Sequence, residues 1–126
     1  MYEDIRKVLE QDYDHEIPDI PRSKDFHRLY KKYVKQFVKP YGYEVICGPG
    51  NSYCGCSGFI KSPEGKFVYF ISGDYRYDGD RIFDRVLIRT ARDEKDYTGG
   101  GNYFCALKDI GDAAQQLFTR GNYCGW

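Results

Sequence analysis

Between Phe26 and Val38 the apolar positions fall at 26, 29, 30, 33, 34, 37 and 38, the three- and four-residue steps that set one side of an α-helix against a core. The pattern predicts an amphipathic helix over residues 23–39, with Ser23 as its N-cap and Pro40 and Gly42 as its stop. Upstream, Ile5, Val8 and Leu9 mark a shorter helix from Tyr2 to Gln11. It ends before IPDIPR, where Pro18 and Pro21 impose extended chain. Beyond residue 42 the period shortens to two. Strands are predicted at Tyr43–Cys47, Ser57–Lys61, Phe67–Ile71 and Arg85–Ala91, and Ser62-Pro63-Glu64-Gly65, with proline second in a tight turn, joins the middle pair as a hairpin. Phe67 to Ile71 is apolar on both faces, which predicts the central strand. RDEKDYTGGGN reads as a loop, and Asn102 as the cap of a last helix carrying Leu107, Ile110, Ala114, Leu117 and Phe118 up to Gly121.

These elements predict an α+β fold: a four-stranded antiparallel β-meander with two N-terminal helices and one C-terminal helix, in two layers. The length of 126 residues suits one domain, made of an acidic helix and proline-containing linker over 1–22 and an α-ββββ-α core over 23–126. No run approaches the ~20 apolar residues of a membrane span, and the acidic start lacks a signal-peptide core. A cytoplasmic protein without membrane contact is expected. Five cysteines, an odd number, then point to thiols rather than a disulfide framework.

Charge changes this picture by its distribution. The chain is neutral in sum, 19 basic against 19 acidic, yet residues 1–19 hold seven acids and two bases while residues 20–47 hold seven bases and two acids. Neutrality removes non-specific phosphate binding as a global property, so any partner is met by a local patch. The clearest patch is the stripe Lys24, Arg28, Lys31, Lys32, Lys35 and Lys39, whose spacing can follow a phosphate backbone. Its bland reading is a solvated helix face, or one neutralised by the acidic segment folding over it.

CGPGNSYCGC, residues 47–56, raises a metal or redox reading. If Cys47 ends one strand and Cys54 begins the next, Cys47, Cys54 and Cys56 can cluster, with Cys105, Cys124, His15 and His27 as candidates for a fourth ligand. Structural zinc sites bring ligands in two pairs, and there is one C-x-C and no second pair. A nucleophilic thiol needs a histidine, and neither His15 nor His27 is placed beside it by the sequence. Buried thiols are the expected outcome, with no metal and no cofactor. Asp74, Asp78, Asp80 and Asp84 lack calcium-loop spacing and interleave with Arg76, Arg81 and Arg85, as a solvated loop does. The run Gly99, Gly100, Gly101, Asn102, if it opens a helix, offers a weak anion site through free N–H groups, without the lysine of a nucleotide loop.

Thirteen tyrosines exceed what a core of this size holds. Tyr75, Arg76, Tyr77, Asp78, Tyr97 and Tyr103 fall in or beside loops and form a candidate recognition surface of rigid rings and charges. With no complete catalytic set, the expected function is a small non-enzymatic binding protein. It would act by stoichiometric occupation of a protein or ribonucleoprotein surface, as inhibitors that phages and mobile elements direct against host defence do, of anti-CRISPR or anti-restriction type. The alternatives are a nucleic-acid-binding module using the helix of residues 23–39 and, third, a small nuclease or ribonuclease-like toxin.

Overall fold

The computed structural model describes residues 3–7, 24–47, 56–72, 81–96 and 100–124. Residues 3–7 are helical (α1), within the helix expected from Tyr2 to Gln11. The amphipathic pattern forms α2, Lys24–Val38, and a 3-10 turn follows at Lys39–Tyr41 where Pro40 prevents a further α turn. Ser23, the expected cap, lies outside the described residues.

Five strands follow in a single antiparallel meander: β1 Glu44–Cys47, β2 Ser57–Lys61, β3 Phe67–Ile71, β4 Val86–Ala91 and β5 Tyr103–Cys105, in that spatial order. The bounds of β2 and β3 coincide with the expectation, and β3 is the central strand. The turn between them closes as predicted, the Gly65 N–H donating to the Ser62 carbonyl at 3.0 Å.

Two expectations are corrected. The sheet has five strands rather than four, because Tyr103-Phe104-Cys105 pairs with β4, Val86 opposite Cys105 and Ile88 opposite Tyr103. Aromatic residues beside an unfilled sheet edge override the helix-cap reading of Asn102. The last helix starts later, after a 3-10 turn at Leu107–Asp109, as α4, Ile110–Arg120. A fourth helix also exists, one turn long, α3 at Arg81–Asp84, inside the stretch read as a polar connection. Ile82 and Phe83 are both buried in the core, which accounts for it.

The described helices pack on one face of the sheet. From the register, that face carries Val45, Ile60, Val68, Phe70, Val86, Ile88 and Cys105. All of these join one core with Ile5 of α1, Phe26, Tyr30 and Val34 of α2, Ile82 and Phe83 of α3, and Ile110, Ala114 and Leu117 of α4. Tyr30 is completely buried, and its hydroxyl donates to the Ile82 carbonyl at 3.0 Å, so a polar atom inside the core is satisfied while α2 and α3 are tied together. α4 meets α2 closely at Gly111, where a Cβ would stand 2.5 Å from the Phe37 carbonyl oxygen and 2.6 Å from the Tyr41 ring. No described helix is long and apolar enough to cross a membrane.

Candidate functional site

The basic stripe lies where the amphipathic pattern places it. α2 commits Phe26, Tyr30, Tyr33, Val34 and Val38 to the core and leaves Arg28, Lys32, Lys35 and Lys39 exposed and Lys31 half-buried. From Arg28 to Lys39 the ridge runs about 16 Å, at 1.5 Å per residue. Among the described residues, none pairs with Lys31, Lys32, Lys35 or Lys39. Nothing further is assigned to Lys24, whose side chain lies outside the described set. The neutralising segment was expected over residues 3–19. Of its acids, Glu3 and Asp4 are described, and neither meets the ridge. Asp4 instead accepts a hydrogen bond from the Tyr33 hydroxyl on the core side of α2. That donor holds the Asp4 carboxyl below its usual range, and the carboxylate in turn raises the Tyr33 phenol.

The tyrosine surface is not assembled by the described residues. Tyr75, Arg76, Tyr77, Asp78 and Tyr97 lie outside them, and Tyr103 sits in β5, half-buried against the core and on the helix-covered face.

Of the thiols, those of Cys56 and Cys105 stand apart. Cys47 stands opposite Gly58 in the β1–β2 ladder, and Cys54 lies outside the described residues. Cys56 is completely buried just before β2, on the face of Ile60, and its thiol meets the backbone carbonyl of His27 at 4.0 Å. Cys105 is three strand spacings away in β5, about 14 Å at 4.7–4.9 Å per strand, too far for a shared ion. Burial pushes the Cys105 thiol up to about 12, so it is protonated throughout the physiological range and is no nucleophile. Among the described residues, no three histidine, cysteine, aspartate or glutamate side chains are placed to hold a metal. Cys56 is fixed by Ser72: the Cys56 N–H donates to Ser72 Oγ at 3.0 Å and the Ser72 N–H to the Cys56 carbonyl at 2.9 Å, closing the β2–β3 hairpin at its open end.

The glycine run has a structural cause. Gly100 has φ +75°, and a Cβ there would stand 2.5 Å from Thr90 Oγ1 and 2.9 Å from the Thr90 carbonyl, so the chain turns into β5 by lying against β4. Gly101 and Asn102 then lead into a strand and not a helix, which removes the anion site at a helix N-terminus; Gly99 lies outside the described residues.

A different constellation appears on the sheet face that no described helix covers. Here the register aligns Ile46, Phe59, Lys61, Phe67, Tyr69, Ile71, Leu87, Arg89 and Phe104. Phe59 is fully buried and Tyr69 nearly so, their rings meeting edge to face at 5.4 Å, while the others are half-buried. Three cations lie over three rings. Lys61 faces Phe67 across the β2–β3 ladder with its ammonium 5.9 Å from the ring centroid, and Arg89 faces Tyr69 across β3–β4 with its guanidinium at 4.3 Å. Arg85, exposed at the start of β4, stands 4.5 Å from the ring of Phe104. None of the three cations has an acidic partner among the described residues, and Arg89 Nε is buried with no acceptor. In the sequence Arg89 is a lone charge inside a strand and Arg85 one of several arginines beside acids. The signal that finds them is alternation: Arg85, Leu87 and Arg89 are odd-numbered neighbours on one face, opposite the odd-numbered aromatics of β3.

No protein-family model, curated protein or solved structure matches this chain.

Proposed function

We propose that this chain is a small binding protein that acts stoichiometrically, by occupying an anionic surface of a protein or ribonucleoprotein partner. The observation that carries the reading is the α2 ridge. Lys32 and Lys35 of α2 and Lys39 of the 3-10 turn after it are exposed along one line, opposite the side locked into the core, and they keep no ion pair among the described residues. A ridge built this way presents charge without moving, so docking costs side-chain order only. It also speeds encounter with an acidic surface more than it lengthens residence, so the association is expected to weaken steeply with salt.

The experiment is affinity purification of the full chain from its native cells beside the charge-reversed variant K32E/K35E/K39E, with stoichiometry read by native mass spectrometry. A partner recovered near one-to-one by the wild type and lost by the variant supports the reading. Equal recovery by both, or no stoichiometric partner, overturns it.

A further inference from the structure

We propose that the α2 ridge lies along the phosphodiester backbone of double-helical nucleic acid and binds it without regard to sequence. This deepens the stoichiometric-binding reading, on which it rests, by naming the anion that the ridge meets.

The ridge is open to solvent and clear of acids. From Arg28 to Tyr41 the chain holds five basic residues and no acid. Lys32, Lys35 and Lys39 are exposed, and among the described residues no acid pairs with them. The acids of the elements around α2 are turned to other uses. Asp112 of α4 accepts a hydrogen bond from the Gln116 amide at 3.0 Å, Glu44 lies on the far face of the sheet, and Asp4 accepts from Tyr33. The bond from the Tyr30 hydroxyl to Ile82 holds the inner side of the helix, so the cations keep a fixed line while their stems stay free to adjust.

Residue type selects phosphate over carboxylate. A guanidinium meets a carboxylate through two parallel bonds, and protein interfaces enrich arginine and deplete lysine. Here lysine fills positions 31, 32, 35 and 39, with one arginine, Arg28, ahead of them. An ammonium is a point charge with three rotatable donors, suited to a row of phosphate oxygens whose placement varies. The spacing agrees. At 1.5 Å per residue, Lys32 to Lys39 covers about 10 Å, and one strand of a duplex presents a phosphate every ~3.4 Å of axis, so three lysines face about three or four phosphates.

A single strand fits less well. Its unpaired bases need flat rings to stack on, and the outer side of α2 exposes Arg28, Lys32, Lys35 and Gln36, with Lys39 just beyond. The exposed aromatic side chain among the described residues is Tyr41, at the end of the following turn, and its ring is stacked on Tyr43 at 5.8 Å and lies against Gly111 of α4. With Gln36 as the one neutral polar side chain exposed on the ridge and no carboxylate there, the duplex is held by its backbone and its base edges go largely unread.

The test is fluorescence anisotropy on the full chain in about 50 mM salt, with a labelled RNA duplex of about 16 base pairs, a DNA duplex of the same sequence, an RNA duplex of scrambled sequence and the single RNA strand. The duplexes are expected to bind, the two RNA sequences within about twofold of each other, and the tighter of the RNA and DNA arms names the source of the backbone. Three phosphate contacts at about 0.9 each give a log–log salt slope of about −3. The single strand is expected to bind at least about fivefold more weakly. K35Q should lower the slope by about one on every duplex. K32Q/K35Q/K39Q should abolish the salt-dependent binding while the circular dichroism spectrum stays that of the wild type, since all three side chains are exposed. Y41L, which removes the exposed ring and no charge, should stay within about twofold.

The proposal is overturned if no duplex binds, if the single strand binds as tightly, or if folded Y41L loses about tenfold. It is equally overturned if polyglutamate displaces the labelled duplex as well as an unlabelled duplex of equal charge does. Duplex failure beside a partner recovered near one-to-one by the wild type and lost by K32E/K35E/K39E leaves the binding-protein reading standing and assigns the ridge to an acidic protein surface. Duplex binding without such a partner keeps the assignment of the ridge and removes the stoichiometric reading.

Discussion

The two faces of the sheet are both apolar, and they differ in what their apolar residues are for. On the covered face Ile60, Val68, Phe70, Val86 and Ile88 are all completely buried, and no charged side chain interrupts them. On the other face the central pair Phe59 and Tyr69 is buried as thoroughly, but around it the residues stay half-buried and cations alternate with rings. Burying an arginine or lysine stem among rings keeps the charged head near water and still covers hydrocarbon. One face is thus closed by aliphatic packing against helices, and the other, among the described residues, combines a buried aromatic pair with cation–ring contacts.

The largest effect expected from this contrast is at Phe70. It is wholly enclosed in β3 between Gly58 of β2 and Ile88 of β4. Phe70→Ala should cost about 3–5 kcal/mol, the transfer of the ring plus the cavity it leaves, measured by chemical denaturation. A loss below about 1 kcal/mol would mean that the covered face is not the folding core.

Next comes the seam that holds the covering helices. At Gly111 an added methyl stands 2.5 Å from a backbone carbonyl that cannot rotate away, so α4 must shift from α2. Although alanine is the better helix former by about 1 kcal/mol, overpacking outweighs it, and Gly111→Ala is expected to lose about 1–3 kcal/mol. A stabilised variant would show that the two helices do not cross there.

How much of this was legible follows the same division. The hairpin β2–β3 could be read to the residue, because a two-residue alternation and a proline-glycine turn agree with each other. α2 could be read from its stripe, and with it the ridge, since the same periodicity that selects a core side selects the outer one. β5 could not be read: three residues do not establish a period, and the decisive fact, an open edge on β4 next to them, is tertiary. α3 fails for a similar reason, since Ile82 and Phe83 are adjacent and show no helical spacing. The cation–ring face needed strand register, because Arg89 meets Tyr69 from twenty residues away and only through pairing. Cys56 and Cys105 were legible as buried thiols but not in their separation, which depends on the fifth strand.

A smaller effect belongs to the clasp between α1 and α2. The Tyr33 hydroxyl donates to the Asp4 carboxylate, and Ile5 beside it is fully buried. Asp4→Asn removes a charge-assisted bond at a half-buried site, so the expected loss at neutral pH is about 1 kcal/mol, below the usual ~1.5–3 kcal/mol of such bonds because water screens the pair. Because the folded carboxyl titrates below its ordinary 3.8, the contribution is complete above that pH and disappears as pH falls through the lowered folded value. The Tyr33 phenol is raised above its ordinary 10.0, so the contribution persists up to that pH and is lost as pH rises through the raised value. The stability difference between wild type and Asp4→Asn should therefore form a plateau between these limits and close at both ends. A difference that stays constant into acid would assign Ile5 alone to the clasp.

The smallest effect tests the contrast within a single strand. Leu87 and Ile88 are adjacent in β4, Leu87 half-buried on the cation-bearing face and Ile88 wholly buried on the covered one. Ile88→Ala should cost about 2–5 kcal/mol, whereas Leu87→Ala, whose site can collapse toward solvent and whose neighbours Arg85 and Arg89 keep their rings, should cost about 1 kcal/mol or less. Equal losses would mean that the second face is as closely packed at Leu87 as the first is at Ile88.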